Sequence, residues 1–186
     1  MTLANIMQLA LRQLDENRED ISEYDELFSS YANMGYMIAL RVFVRPRETF
    51  VLTTDETGRA DLGGLPVLRV VELRDERGER LRFALDADGQ AIRTDRGAQT
   101  VAALCEVERP PMENAMQEPE LPAYLHPALA DYICYRHLSA GSLGKQSRAE
   151  SFRERFYRQM HAATRQGAGS VTRLRGLYAA TDARSR

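Results

Sequence analysis

The chain has 186 residues, 44% of them hydrophobic, and a formal net charge of −2. That length suits one compact domain with elaborations, and the apolar fraction can build a core unaided: the two cysteines, Cys105 and Cys134, offer neither a disulfide framework nor zinc-ligand spacing. No segment approaches the roughly 18 apolar residues of a spanning helix, and Met1 to Leu14 lacks the unbroken apolar stretch of a signal peptide, so the sequence predicts a soluble protein made in a cytoplasm.

From Leu3 to Leu14 the apolar residues Leu3, Met7, Ala10, Leu11 and Leu14 recur at three- and four-residue steps, which predicts a helix with one buried face and Thr2 as its N-cap. After the acidic stretch Asp15 to Asp20, a second helix is predicted from about Ile21 to Val44. Its stripe is Tyr24, Leu27, Phe28, Tyr31, Met34, Ile38 and Val42, and Asp20 and Glu23 have capping-box spacing. Arg45-Pro46 ends it, because the residue before proline is pushed out of the α region.

Between Glu48 and Glu108 the periodicity shortens to β-type runs, predicted as strands Glu48–Thr54, Val67–Arg74, Arg80–Leu85, Ala91–Thr94 and Thr100–Glu108 of an antiparallel meander. Turn residues separate them: Thr57-Gly58, Gly63-Gly64-Leu65-Pro66, Glu76-Arg77-Gly78 and the hairpin pair Asp88-Gly89. Alternation in Val70, Glu72, Arg74 and in Leu81, Phe83, Leu85 predicts one buried and one wet face.

Arg109 to Pro127 holds five prolines and reads as an extended connector back to the helical part. A third helix follows over about His126 to Ala140, with Pro127 in its first turn, Leu129, Tyr132, Ile133 and Leu138 as its apolar residues, and Gly141 as its stop. A fourth, beginning near Ser142 or Ser147, carries Ala149, Phe152, Phe156, Met160 and Ala163 on one face and Arg148, Arg153, Arg155, Arg158 and Arg165 on the other. Ser147 and Glu150 have capping-box spacing. Ala168 to Arg186 is rich in Gly, Arg and Ser and is expected to lack a fixed fold in the isolated monomer. The predicted class is α+β: a four-helix frame (1–46 and 126–166) interrupted by a β-rich insert (47–108), with a connector (109–125) and an extended basic tail (167–186).

Charge is unevenly spread. Residues 1–30 hold two Arg against seven acidic residues, and residues 126–186 hold ten Arg and one Lys against four acidic residues, so the two ends carry −5 and +7. Complementary patches of this kind steer association and fix orientation between copies. The candidate lateral contacts are therefore Asp20, Glu23 and Glu26 of one copy with Arg153, Arg155 and Arg158 of the next. The basic end also supplies the electrostatic ingredient of nucleic-acid binding, without base-reading features.

Motifs for chemistry are sparse. Gly141-Ser142-Leu143-Gly144-Lys145-Gln146-Ser147 resembles a phosphate-binding loop, but Ser139 stands where its first glycine is required, Gln146 replaces the Mg-binding hydroxyl, and the segment lies between helices. Cys134 and His137 are three apart on a helix, and a metal site needs further ligands that the sequence does not place nearby; His126 and His161 have no partner at ligand spacing. The carboxylates cluster in a polar stretch where nothing apolar would raise a pKa for acid–base work. The sequence predicts no enzyme, no cofactor, no metal and no catalytic residue.

The order of two helices, β-rich insert, proline-bearing connector, two helices and tail resembles the head-to-tail connector, or adaptor, proteins of tailed bacteriophages. Two stretches carry the resemblance. One runs from Leu121-Pro122-Ala123-Tyr124-Leu125-His126-Pro127 to Cys134-Tyr135-Arg136, followed by Arg148-Ala149-Glu150-Ser151-Phe152 and Phe156; it looks like a short Pro-initiated helix, a break and an aromatic-bearing helix. The other, Thr53-Thr54-Asp55 through Arg59-Ala60-Asp61-Leu62-Gly63-Gly64-Leu65-Pro66 and Val67 to Leu73, looks like the lead-in to that family's inserted sheet. The resemblance implies a structural virion protein of the neck, present in the host cytoplasm before assembly. It implies a ring, usually of twelve subunits, between the portal protein and the stopper or tail protein, with DNA passing through its channel without sequence-specific contact. It also implies a C-terminal segment that docks on the portal, here Ala168–Arg186 with Val171, Arg173, Leu174, Arg175, Leu177 and Tyr178. The alternatives are another neck or tail-completion subunit and a small DNA-binding regulatory protein.

Overall fold

The computed structural model describes residues 1–14, 24–165 and 172–174 and shows an α+β chain. It divides into two compact units: a helical unit of Met1–Val44 with Arg109–Gly169, and a β unit of Arg45–Glu108 with Ser170–Arg186.

In the helical unit, α1 (Leu3–Gln13) begins as the sequence predicts, with the Thr2 hydroxyl accepting from the Asn5 amide, and it buries Leu3, Ile6, Met7, Ala10 and Leu11. Helix α3 (His126–Ser139) has Pro127 in its first turn and packs against α1 (Leu3–Gln13), α2 (Asp25–Ile38) and α4 (Leu143–Arg165). Surrounded by three helices, it buries more than an amphipathic stripe: Ala130, Asp131 and Cys134 are as enclosed as Leu129 and Ile133. Helix α4 starts directly after Ser142, whose carbonyl accepts from the Gln146 amide. Ser147 is therefore an interior helical residue, not an N-cap.

Helix α2 departs from the expected face. The capping pair Asp20 and Glu23 lies outside the described residues. From Ala39 to Val44 the helix continues as a π-helical segment, which the sequence did not signal. Phe28, Ala32, Gly35, Tyr36, Ala39, Leu40 and Phe43 are buried, whereas Leu27, Met34 and Val42 are 43%, 40% and 53% exposed. Small residues decide this outcome. A Cβ on Gly35 would lie 2.9 Å from the Tyr132 ring, so at this point α2 meets α3 too closely to admit a side chain. Arg45 leaves the helix with a left-handed φ of 46°, where the residue before a proline ordinarily takes extended backbone.

The connector is tied down by backbone-directed hydrogen bonds. Asn33 of α2 donates from Nδ2 to the Met112 carbonyl at 2.9 Å and accepts from the Met112 amide at 2.7 Å. The Leu3 and Ala4 amides donate to the carbonyls of Gln117 and Ala115, both at 2.8 Å, and the Tyr36 hydroxyl accepts from the Glu120 amide.

The β unit is two small sheets in place of the expected meander. In one, β3 (Val67–Asp75), β6 (Thr100–Val107), β1 (Arg47–Thr53) and β7 (Thr172–Leu174) lie in that order; in the other, β2 (Arg59–Asp61), β5 (Ala91–Thr94) and β4 (Phe83–Leu85). The long strand β6 pairs antiparallel with both β1 and β3, from Arg47 opposite Glu106 to Thr53 opposite Thr100 on the first side. Its alternation buries Val101, Ala103, Cys105 and Val107 on one face, and two register shifts interrupt β3. The predicted Arg80–Leu85 run is split, with Arg80 bridging Arg74 and only Phe83–Leu85 forming β4. Three turns share the pattern Asp-x-x-Gly: Asp55–Gly58, Asp75–Gly78 and Asp86–Gly89. In each the glycine amide donates to the aspartate carbonyl at 2.8–2.9 Å and the glycine has φ of 70–80°. Asp55 and Asp75 add side-chain acceptance from the amides two and four residues on, which explains why these turns are fixed by local sequence.

Candidate arginine-lined interaction site

The helical unit carries a cleft of about 420 Å³ lined by Arg12 and Gln13 at the end of α1 and by Arg148, Ser151, Phe152 and Arg155 of α4. Its Arg155 is held by a buried acid. Asp131 of α3, 3% exposed, accepts from Arg155 Nη2 and, at 3.0 Å, from Gln159 Nε2. Arg155 also lies over the Phe152 ring, 4.5 Å from its centroid, and reaches Gln13 Oε1. Arg148 donates to the Gln13 carbonyl at 2.6 Å and lies 5.9 Å from the centroid of the same Phe152 ring. A cation at the last carbonyls of a helix is favoured by the helix dipole. Burial holds the Asp131 carboxyl above its ordinary value, and Arg155, Gln13 and Gln159 offset only part of that rise.

Chemically, guanidinium groups around a hydroxyl suit carboxylate or phosphate oxygens, which the planar Arg fork can meet with two parallel hydrogen bonds. Asp131 pairs with Arg155 and sets its direction. Arg12, Gln13, Asp131 and Gln159 were not among the residues singled out from the sequence. Asp131 gives no sequence signal beyond being the lone acid of α3, set among Ala128, Leu129, Ala130, Tyr132 and Ile133, a setting that does point to a buried cation partner.

No protein-family model matches the chain, and no curated protein matches it.

The structure separates the sequence-derived contact residues. Arg153, Arg155 and Arg158 share α4, and the half-exposed Arg155 pairs with Asp131 of α3 within the chain. Arg153 is exposed and pairs with Glu150 on the same helix at 2.7 Å while lying over Tyr157; Arg158 is exposed. Glu26 is exposed in the first turn of α2 and, among the described residues, forms no ion pair with these arginines within a copy. Asp20 and Glu23 lie outside the described residues. Of the tail residues, Arg173 and Leu174 belong to β7, whose backbone pairs in parallel with Glu48 and Thr49 of β1; Val171, Arg175, Leu177 and Tyr178 lie outside the described residues. Over these three β7 residues the chain is paired, where the sequence suggested no fixed fold.

The histidines and cysteines have packing roles. His137 meets Tyr24 and Phe28 edge-on, His161 meets Phe43, and His126 lies between the Leu121 carbonyl and the N-terminal amine. The Cys134 thiol donates to the Ala10 carbonyl and is pushed up to about 12 by burial, and Cys105 to about 11. Among the described residues no three His, Cys, Asp or Glu side chains group as metal ligands, and no helix is long and apolar enough to cross a membrane.

Proposed function

We propose that this chain is an adaptor subunit of a tailed-phage neck, forming a ring that joins the portal protein to the stopper or tail and continues the DNA channel. The observation that carries the reading is the helical unit assembled from both ends of the chain, with the β unit inserted between α2 and α3. That is the arrangement on which the resemblance rests. The ring is placed in the virion neck, by the family resemblance with twelve copies, and it acts by assembly.

The charge distribution supports lateral association. Arg153, Arg155 and Arg158 of α4 would meet Asp20, Glu23 and Glu26 of the next copy. The segment around β7, Val171 to Tyr178, would serve the portal. Charge contacts of this type lose strength as salt rises.

Mixing the full chain with purified portal protein and imaging by negative stain tests the reading. A ring stacked coaxially on the portal is the expected result. A chain that stays unbound, or that shifts a DNA probe at physiological salt in place of binding portal, would overturn it in favour of the regulatory alternative. Binding to an assembled tail alone would identify a tail-completion subunit.

A further inference from the structure

The stripe on α2 that the sequence shows most clearly is the one the helical unit does not use. Leu27, Met34 and Val42 are exposed, Tyr31 and Ile38 are half-buried beside them, and all five recur at steps of three or four residues. Helical periodicity places such residues along one narrow line. The π-helical turn over Ala39–Val44 advances less per residue than an α turn and so keeps Val42 in that line. A contiguous apolar strip on a water-facing helix is the mark of a contact surface.

Two further features name the occupant. The stripe is symmetric about a centre beside Met34: Leu27 and Val42 are equidistant from it, as are Tyr31 and Ile38. Its ends carry opposite charge, exposed Glu26 at the start and exposed Arg41 at the finish, on the same flank of the stripe. Turned end over end, a second α2 would lay Leu27 on Val42, Tyr31 on Ile38 and Met34 near its own counterpart, and would bring Glu26 of each copy beside Arg41 of the other. Parallel pairing would leave Glu26 and Arg41 at opposite ends with no complementary contact and would align the helix dipoles, which is unfavourable.

We propose that α2 pairs antiparallel with α2 of a second copy of this chain across a two-fold axis at Met34. A two-fold contact closes on itself, so this contact pairs two copies and does not by itself extend to a third. The proposal rests on the exposed stripe and its charges, not on the adaptor reading.

Light scattering of the full chain over a concentration series should show a two-copy mass that Met34→Glu shifts to the monomer, weakening association at least tenfold. Glu26→Arg and Arg41→Glu should each weaken pairing, and the double exchange should restore it; the restoration separates a contact from a folding defect, with circular dichroism confirming the fold of each variant. A short bismaleimide should cross-link Met34→Cys to itself and Leu27→Cys to Val42→Cys in a mixture, but not Leu27→Cys alone. The buried Cys105 and Cys134 leave the background low. A monomer at every concentration, pairing indifferent to Met34→Glu, or cross-linking of Leu27→Cys to itself overturns the proposal. So does a Met34→Glu chain that self-associates normally and loses only portal binding. A chain that pairs this way yet never binds portal leaves the pairing intact and sinks the adaptor reading; a portal-bound ring from a chain that does not pair does the reverse.

Discussion

Asp131, enclosed by three helices on α3, is held by the half-exposed Arg155 of α4, so a charge at the centre of the helical unit is answered by one at its rim. Removing the cation leaves a buried carboxylate short of its partner. Arg155→Ala is expected to cost about 1–3 kcal/mol at neutral pH, measured by urea denaturation. The pH dependence has a definite sign. Because the folded carboxyl titrates above its ordinary value of 3.8, the native state holds the extra proton between the two values, and stability falls as pH climbs through that interval and is flat above it. Arg155→Ala should widen the interval, and Asp131→Asn should abolish this contribution.

Carboxylates of the β unit titrate the other way. Asp55 is lowered first by the Thr57 hydroxyl and then by the Arg59 amide, and Glu72 first by Arg80, with Arg74 adding to it against burial. At Asp75 burial is the largest single influence and raises the value, but the amides of Glu79 and Arg77 together with Arg96 outweigh it and leave the group lowered. Their contribution is present above the ordinary carboxyl range and is lost as pH falls through the lowered folded values. Site-resolved hydrogen exchange on acidification should therefore show these hairpins losing protection, and Asp75→Asn should remove its share of that acid dependence.

Asn33 satisfies both backbone groups of Met112, a role no aliphatic substitute can fill. Asn33→Ala should cost about 1–3 kcal/mol by leaving two backbone groups unpaired in a part-buried setting, and Asn33→Asp should cost less because its acceptor survives. Limited proteolysis within 109–125 should accelerate in the same order.

The turn glycines should separate into two classes. Gly64 and Gly89 have positive φ and open space where a Cβ would go, so alanine there should cost only the left-handed penalty of about 1–2 kcal/mol. At Gly58 a Cβ would also lie 2.5 Å from the Arg96 carbonyl oxygen and 2.6 Å from that of Thr94, so Gly58→Ala should cost about 3 kcal/mol, read by thermal denaturation.

Those same glycines show what a sequence makes legible. An Asp-x-x-Gly turn is stabilised by atoms within five residues, so Gly58, Gly78 and Gly89 mark strand ends reliably, and β5 falls on its predicted residues. Helix existence was equally plain from periodicity. Contacts between distant segments were not. Strand β7 exists by pairing three residues onto β1, and the exchange of a meander for two sheets follows from β6 lying between β1 and β3. Neither has a local signature. The buried face of α2 differs from its bulkiest stripe because Ala32, Gly35 and Ala39 pack by closeness, whereas periodicity rewards bulk. At the cleft the basic face of α4 was visible, but Asp131's capture of Arg155 joins two helices, and Gln13 enters through the end of a third.

The placement of α3 has a consequence for synthesis. Helices α1 and α2 leave the ribosome with their packing partner still untranslated, since α3 begins only at His126, after the whole segment that forms β1 to β6. Chains emerge from the N-terminus, so the strands can pair while the first two helices still expose Leu11, Phe28 and Tyr36 to solvent or chaperone. A nascent chain arrested before α3 should thus hold a folded β segment ahead of any stable helical core, and α3 and α4, once made, would close the older half of the helical unit.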